Sequence, residues 1–257
     1  MILVTSDTHC YYDTINQQIE YAEALLNRAV SCVIHLGDFG LYKANLHEYF
    51  IRKGKRFIRP VYFIEGNHED FQSFPRLAEK YRDFFTYLPR GTVHTLDGYR
   101  FLAFGGAAYM DSFNTQKGAI ITDHNINQCL SINPETVDII LTHDCPNSIG
   151  VPNSPGLEYY GETGFPRSDE LAAHFKPKLW LFGHHHKWFE SQDGYIRYCG
   201  LADTWKGFGL LDKDSQFRFV FHQIEWEQPP FIERLLIKLK IIRPDRPLPD
   251  SGDIFKS

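Results

Sequence analysis

The chain of 257 residues carries 27 Lys and Arg against 32 Asp and Glu, a formal net charge of −5, with 43% hydrophobic and 15% aromatic residues. That length suits one large domain with a sizeable core, and the negative balance excludes bulk electrostatic binding of nucleic acid without excluding a small nucleic-acid substrate. No apolar stretch approaches the roughly 20 residues of a membrane span, and five scattered cysteines (Cys10, Cys32, Cys129, Cys145, Cys199) without a C-x-x-C pair fit reduced thiols in a cytoplasm.

Met1-Ile-Leu-Val runs directly into an acidic motif, which leaves no room for a signal peptide and points to a cytoplasmic location. Ile2–Ser6 reads as a buried strand, and Ile15, Ile19, Ala22, Leu25, Leu26 and Ala29 mark an amphipathic helix over 15–30. Cys32–Leu36 and Pro60–Ile64 are further strands, so the β-α-β-α-β order predicts a parallel sheet with right-handed crossovers. Thr92–Leu96 and Tyr99–Phe104 flank Asp97-Gly98, a hairpin signal. Residues 107–131 are polar and irregular, predicting a loop over the site with a short helix at Asn125–Leu130.

Val137–Thr142 is another buried strand, followed by a Pro- and Gly-rich loop from Cys145 to Pro166, a length that is usually functional. Leu179–Phe182, Lys187–Ser191, Tyr195–Cys199, Gly207–Asp212 and Phe217–His222 are the remaining predicted strands. Helical spacing over 230–242 predicts a C-terminal helix that completes a single domain, 1–242. The proline-rich, charged tail 243–257 reads as disordered.

Chemistry-bearing residues gather directly after the apolar runs: Asp7-Thr8-His9, Gly37-Asp38, Gly66-Asn67-His68-Glu69, His143-Asp144 and Gly183-His184-His185-His186. In open α/β sheets, ligands sit beyond the carboxyl ends of the strands, where these segments fall. The β period of two predicts that Asp7 and His9 share one side, that His184 and His186 share another, and that His185 points away. Asp38 can bridge two ions with its two oxygens, Asn67 offers a neutral oxygen, and His143 adds an imidazole. Oxygen and nitrogen donors without thiolate suit manganese, iron, zinc or similar ions. Each piece alone is weak, since a strand-end histidine is more often simply exposed and Gly66-Asn67 is also a turn signal. The ordered set is what carries weight.

The order D-x-H, G-D, G-N-H-E, H, G-H-x-H resembles the calcineurin-like metallophosphoesterase superfamily over residues 7–186. The resemblance implies an α/β/β/α sandwich with two mixed β-sheets and a dinuclear site along one edge. It implies Asp7, His9 and His186 on one metal, Asn67, His143 and His184 on the second, Asp38 bridging, and His68 as the catalytic or phosphate-stabilising residue. It also implies hydrolysis by an activated water between two divalent ions, Mn²⁺ foremost, with Fe, Zn, Ni, Co or Mg as alternatives.

Two departures restrict the substrate. Many members carry a second Asp, as G-D-x-x-D, to orient the catalytic histidine, whereas this chain has Leu41 there; the Arg of Ser/Thr protein phosphatases is also missing, with Tyr42 and Lys43 in its place. Gly37-Asp38-Phe39 and Leu141-Thr142-His143-Asp144-Cys145-Pro146 are similar to lariat-RNA debranching enzymes, which carry Cys where this chain has Asp7. The length and Phe104-Gly105-Gly106-Ala107 look more like compact bacterial or phage metallophosphoesterases. A phosphodiester of a nucleotide or nucleic acid is the favoured substrate, a small phosphomonoester the alternative, and a non-catalytic interaction scaffold a lesser one.

Other residues carry blander expectations. His35 reads as a satisfied core histidine, and His47, His94, His124, His174 and His222 as surface positions. Glu69 and Asp144 are candidates to fix a neighbouring imidazole, with opposed directions the more frequent outcome. The basic run Lys43, Arg52, Lys53, Lys55, Arg56 and Arg59 reads as a solvated face rather than a phosphate track. Trp205, Tyr159, Tyr160 and Tyr109 read as core packing rather than base stacking.

Overall fold

A computed structural model describes residues 1–108, 115–212, 217–224 and 226. Tyr109, the predicted helix 230–242 and the tail 243–257 lie outside the described residues.

Short apolar runs form two six-stranded sheets. The first has the order β12-β11-β1-β2-β3-β4, with β1 Ile2–Thr5, β2 Cys32–His35, β3 Val61–Phe63, β4 Thr86–Tyr87, β11 Gly207–Leu211 and β12 Phe219–Gln223. The second has the order β5-β6-β7-β8-β10-β9, with β5 Thr92–Leu96, β6 Tyr99–Phe104, β7 Ile139–Thr142, β8 Leu179–Phe182, β9 Phe189–Asp193 and β10 Ile196–Gly200. In the first sheet β1 to β4 run parallel and β11 and β12 add antiparallel pairings at one edge; in the second β6, β7, β8 and β10 run parallel and β5 and β9 close both edges antiparallel.

Side-chain alternation decides the layers. Ile2 and Val4 of β1 face inward and pack with Ile34, Phe101, Ala103, Ile139, Leu141, Leu179 and Leu181, which makes a core between the sheets. Leu3 points the other way, with Val33, Val61 and Phe63, onto α1 (Asp13–Leu26), α2 (Lys43–Leu46, continued by the π-helical turn His47–Arg52) and α3 (Phe74–Lys80). On the far side, Leu102, Phe104, Ile140, Trp180 and Phe182 meet Ile126 and Cys129 of α4 (Asp123–Leu130) and Leu171 and Phe175 of α5 (Ser168–Phe175). The result is a four-layer α/β/β/α sandwich. Each fully buried Leu, Ile or Phe contributes about 1.5–3 kcal/mol by leaving water.

α3 and α5 lie where no helix was expected from the pattern, because runs of seven and eight residues give too few turns for a clear period. The long segment after Cys145 is as irregular as predicted, with one 3₁₀ turn at Glu158–Tyr160. All five cysteines are buried thiols.

Candidate metal centre

The carboxyl ends of β1, β2 and β3 in one sheet, and of β7 and β8 in the other, meet along one edge. Backbone contacts weld them: Asp7 N–H donates to Gly37 O at 3.0 Å, His9 N–H to Asp38 O at 2.9 Å, and Gly183 N–H to His143 O at 3.0 Å. His143 reaches across from the second sheet, with Nδ1 donating to Leu36 O at 2.7 Å.

Two overlapping groups of donors form there. Asp7, His9 and His186 converge, and so do Asp7, Asp38 and His143, each group offering donor atoms within 4.8 Å of one another. Asp38 stands between them, with Oδ2 3.6 Å from His9 Nε2 and Oδ1 3.5 Å from His143 Nε2. Asn67 Oδ1 lies 3.0 Å from His143 Nε2, and the His184 ring is 4.9 Å from the His143 ring. His68 sits at the rim, a third exposed, with Nε2 4.0 Å from Asp38 Oδ2.

The geometry behind this convergence differs from the expected one. Asp7 and His9 are not on an extended segment but in left-handed backbone, φ 55° and 44°. Asp38, His184 and His186 share that region, at φ 54°, 65° and 54°. Strand alternation therefore does not aim these side chains; the chain leaves each strand and turns sharply so that its N–H groups can bond the neighbouring loop. Such conformations cost of order 1–3 kcal/mol each outside glycine, and five of them fall on candidate ligands along this one edge.

The electrostatics favour ionised Asp7 and Asp38 and a neutral His184. Burial works against ionisation of Asp7, yet His186, His143 and His9 outweigh it and hold the carboxyl well below its usual range. Asp38 behaves likewise against burial, through His68, His143 and His9. Burial depresses His184 to about 3, against the pull of Asp144, so its lone pair is available.

With His143 Nδ1–H given to Leu36 O, its Nε2 faces Asn67 Oδ1 at 3.0 Å and Asp38 Oδ1 at 3.5 Å. One nitrogen and two oxygens thus converge on one point, beside a buried, ionised carboxylate. This donor set fits a hard or borderline divalent cation.

Supporting contacts come partly from residues that the motifs did not single out. Ser6 Oγ donates to Asp7 Oδ2 at 2.5 Å, and His184 N–H to the same oxygen at 3.1 Å. Asp203, buried just before the 3₁₀ turn Thr204–Lys206, places Oδ2 3.9 Å from His186 Nδ1, and Lys206 Nζ donates to His186 O at 3.3 Å. Ser6 adjoins a motif and was within reach of inspection; Asp203 is 17 residues beyond His186 (203 − 186) and local pattern does not connect them.

Asp144 takes the His185 ring, Nε2 to Oδ1 at 3.0 Å, and also accepts Ala108 N–H and Cys145 N–H, both at 2.8 Å. Glu69 binds no imidazole. Its carboxylate, fully buried, accepts N–H groups of Phe39, Gly40 and Leu41. Leu41 itself is buried in the core against the helices.

The basic run is largely neutralised within the chain. Arg52 pairs with Glu48, Lys53 approaches Glu48 at 3.9 Å, Lys55 meets Asp13 at 2.5 Å, and Arg59 grips Glu23 with two bonds at 2.9 and 3.0 Å. Arg56 lies over the Phe84 ring. Trp205 is core, 4.9 Å from the Tyr11 ring, whereas Tyr159 is 76% exposed. Among the surface histidines expected, His94, His174 and His222 are half-buried, with His174 bonded to Ile132 O.

His35 is wholly buried with Nε2 2.5 Å from Thr8 Oγ1. Burial depresses its pKa from 6.5 to about 3. The unfolded chain then binds the extra proton between those values, so stability is full above 6.5 and falls as pH drops toward 3. In metal-free protein, His35→Gln is expected to flatten the acid limb by up to about 1.4 kcal/mol per pH unit. Urea titrations from pH 7 to 4 read this directly; parallel acid limbs for the two proteins would rule it out.

A sequence model of the calcineurin-like phosphoesterases matches residues 1–188, and the chain belongs to that family. Among curated proteins none matches the chain in sequence. Solved structures share the fold at low identity. TT1561 of Thermus thermophilus superposes with TM-score 0.56 at 15% identity, over 86% of this chain and 97% of that one. The phosphopantetheinyl hydrolase of Mycobacterium tuberculosis gives 0.51 at 10%, over 87% and 95%. A putative 5′-nucleotidase from Staphylococcus aureus gives 0.54 at 13%, over 93% of this chain and 57% of that one. Among the described residues, no helix is long and apolar enough to cross a membrane.

Proposed function

We propose that the chain hydrolyses a phosphoester, foremost a phosphodiester of a nucleotide or nucleic acid, using two divalent cations, Mn²⁺ first among them. Asp7, His9 and His186 would hold one cation and Asn67, His143 and His184 the other, with Asp38 shared. The observation that carries this reading is the position of Asp38, one oxygen toward His9 and the other toward His143, inside donor groups that share Asp7.

Cations held there would supply Lewis acidity to a phosphoryl oxygen and lower the pKa of water. The protein's own residues do the rest. Leu36 O fixes the His143 tautomer, and Ser6 Oγ with His184 N–H fixes Asp7. His68, exposed at the rim, can donate to the phosphoryl group as charge develops, or protonate the leaving oxygen, an effect of about 10²–10⁴. The neutralised basic run argues that substrate affinity depends on this centre rather than on a phosphate track.

Purified protein with added Mn²⁺ is expected to cleave bis-p-nitrophenyl phosphate and to lose that activity in EDTA. Cyclic nucleotides, single-stranded RNA and DNA, dinucleoside polyphosphates and phosphomonoesters would then define the substrate. Turnover that survives EDTA, or none with any divalent metal, would sink the proposal.

A further inference from the structure

The loops after β2 and β3 are interlocked by side chains that each reach the other's backbone. From the second loop, Glu69 accepts the N–H groups of Phe39 at 2.9 Å, Gly40 at 3.1 Å, and Leu41. From the first, Tyr42 OH donates to His68 O at 2.8 Å, and Asp38 Oδ1 accepts His68 N–H at 2.7 Å. Asp70 N–H adds a bond to Leu41 O at 3.3 Å. His68 therefore has both its amide and its carbonyl held by side chains of the Asp38–Tyr42 segment. Leu41, where an orienting carboxylate was expected from the family pattern, is fully buried in the apolar core.

We propose that Tyr42 is a positioning residue for His68, its hydroxyl setting the direction of the imidazole through the His68 carbonyl. This rests on the phosphoesterase reading above and explains how His68 is aimed without an Asp at position 41. The lever is stiff. The Tyr42 ring packs against the core beside the helices, and a phenol has only two side-chain torsions. Burial, with the charge of Glu69 nearby, pushes the phenol's pKa far above its usual value, so it stays a donor at every working pH. With the carbonyl released, residue 68 is anchored only at its amide, so its Cα and the Cα–Cβ bond that aims the imidazole can shift, and a misplacement of about 1 Å can cost on the order of 10²-fold in rate.

Tyr42→Phe removes one hydroxyl and keeps the packing. On bis-p-nitrophenyl phosphate with Mn²⁺, it is expected to lower kcat about tenfold, with KM and metal content changed by less than about twofold. In a His68→Ala background the same change is expected to cost nothing further, because the group it aims is gone. A loss of equal size in both backgrounds, or an unchanged kcat in Tyr42→Phe, would overturn the proposal. The His68 ring-nitrogen NMR shifts of metal-free protein, assigned by their loss in His68→Ala, are expected to move in Tyr42→Phe. Unmoved shifts would also overturn it. A wild-type protein that turns over no phosphoester would defeat the phosphoesterase reading alone, and the ring shifts would still decide whether Tyr42 aims His68.

Discussion

Asp38→Asn is expected to cut kcat/KM by about 10³-fold or more while leaving the fold intact. The side chain keeps its shape and one oxygen that can still accept the His68 N–H now bonded at 2.7 Å. What it loses is the charge between His9 and His143, which lie 3.6 and 3.5 Å away. A buried carboxylate is costly to desolvate, and here burial opposes ionisation while His68, His143 and His9 overcome it. Because the folded chain holds this carboxyl below its usual range, its charge contributes stability at neutral pH that Asn lacks, so metal-free Asp38→Asn protein is expected to melt lower than wild type near pH 7, the difference closing as pH falls through the carboxylate range. Bound cations are expected to widen the difference, since they stabilise only the folded chain that holds them. Elemental analysis should show a fall from about two metal ions per chain to one or fewer, in the manner of a shared ligand. A variant that keeps both ions and its turnover would remove Asp38 from its bridging place.

That the candidate residues gather at one edge was legible because each follows an apolar run, and apolar runs of four or five residues become buried strands. The β5–β6 hairpin and β8 begin and end where pattern and turn residues place them. The aim of these side chains was not legible. Asp7 and His9 share a cluster because both turn left-handed to bond Gly37 O and Asp38 O, a consequence of the neighbouring loop and not of strand period. The basic run shows the same limit. Glu48 answers Arg52 and Lys53 at close range in the sequence, but the acids that answer Lys55 and Arg59, Asp13 and Glu23, come from α1, some 36–42 residues away in the chain. Tyr42 and Asp203 act through long-range approach to backbone or ring, and nothing in their local sequence announces it. Composition and period report what a segment buries; which loop it then touches depends on how two sheets close over one edge.

That closure makes a methyl group at Gly183 costly to turnover as well as to stability. A Cβ there would overlap Ser6 Oγ and lie 2.8 Å from Asp7 Oδ2, so Ser6 must give up its bond to Asp7 or the two sheet ends must part. Either movement displaces Asp7, which belongs to both donor groups. It also pulls on Gly183 N–H and O, which bond His143 O and His185 N–H. Overpacking of this kind costs about 1–3 kcal/mol, equivalent to a fall in Tm of about 3–10 °C for a domain of this size. Gly183→Ala is expected to lose about 10²-fold in turnover, because a displacement near 1 Å is enough to do so, with weaker retention of metal on dialysis. Gly54→Ala separates these effects. Gly54 has φ 64° with nothing within 4 Å of a built Cβ, so alanine there carries about 1–2 kcal/mol of left-handed strain without touching the site. It should lower Tm and leave metal content and kcat alone. If Gly183→Ala behaved the same way, losing only stability, the two sheet ends would have room to adjust independently. The close approach of Gly183 to Asp7 would then be a matter of packing and not of function.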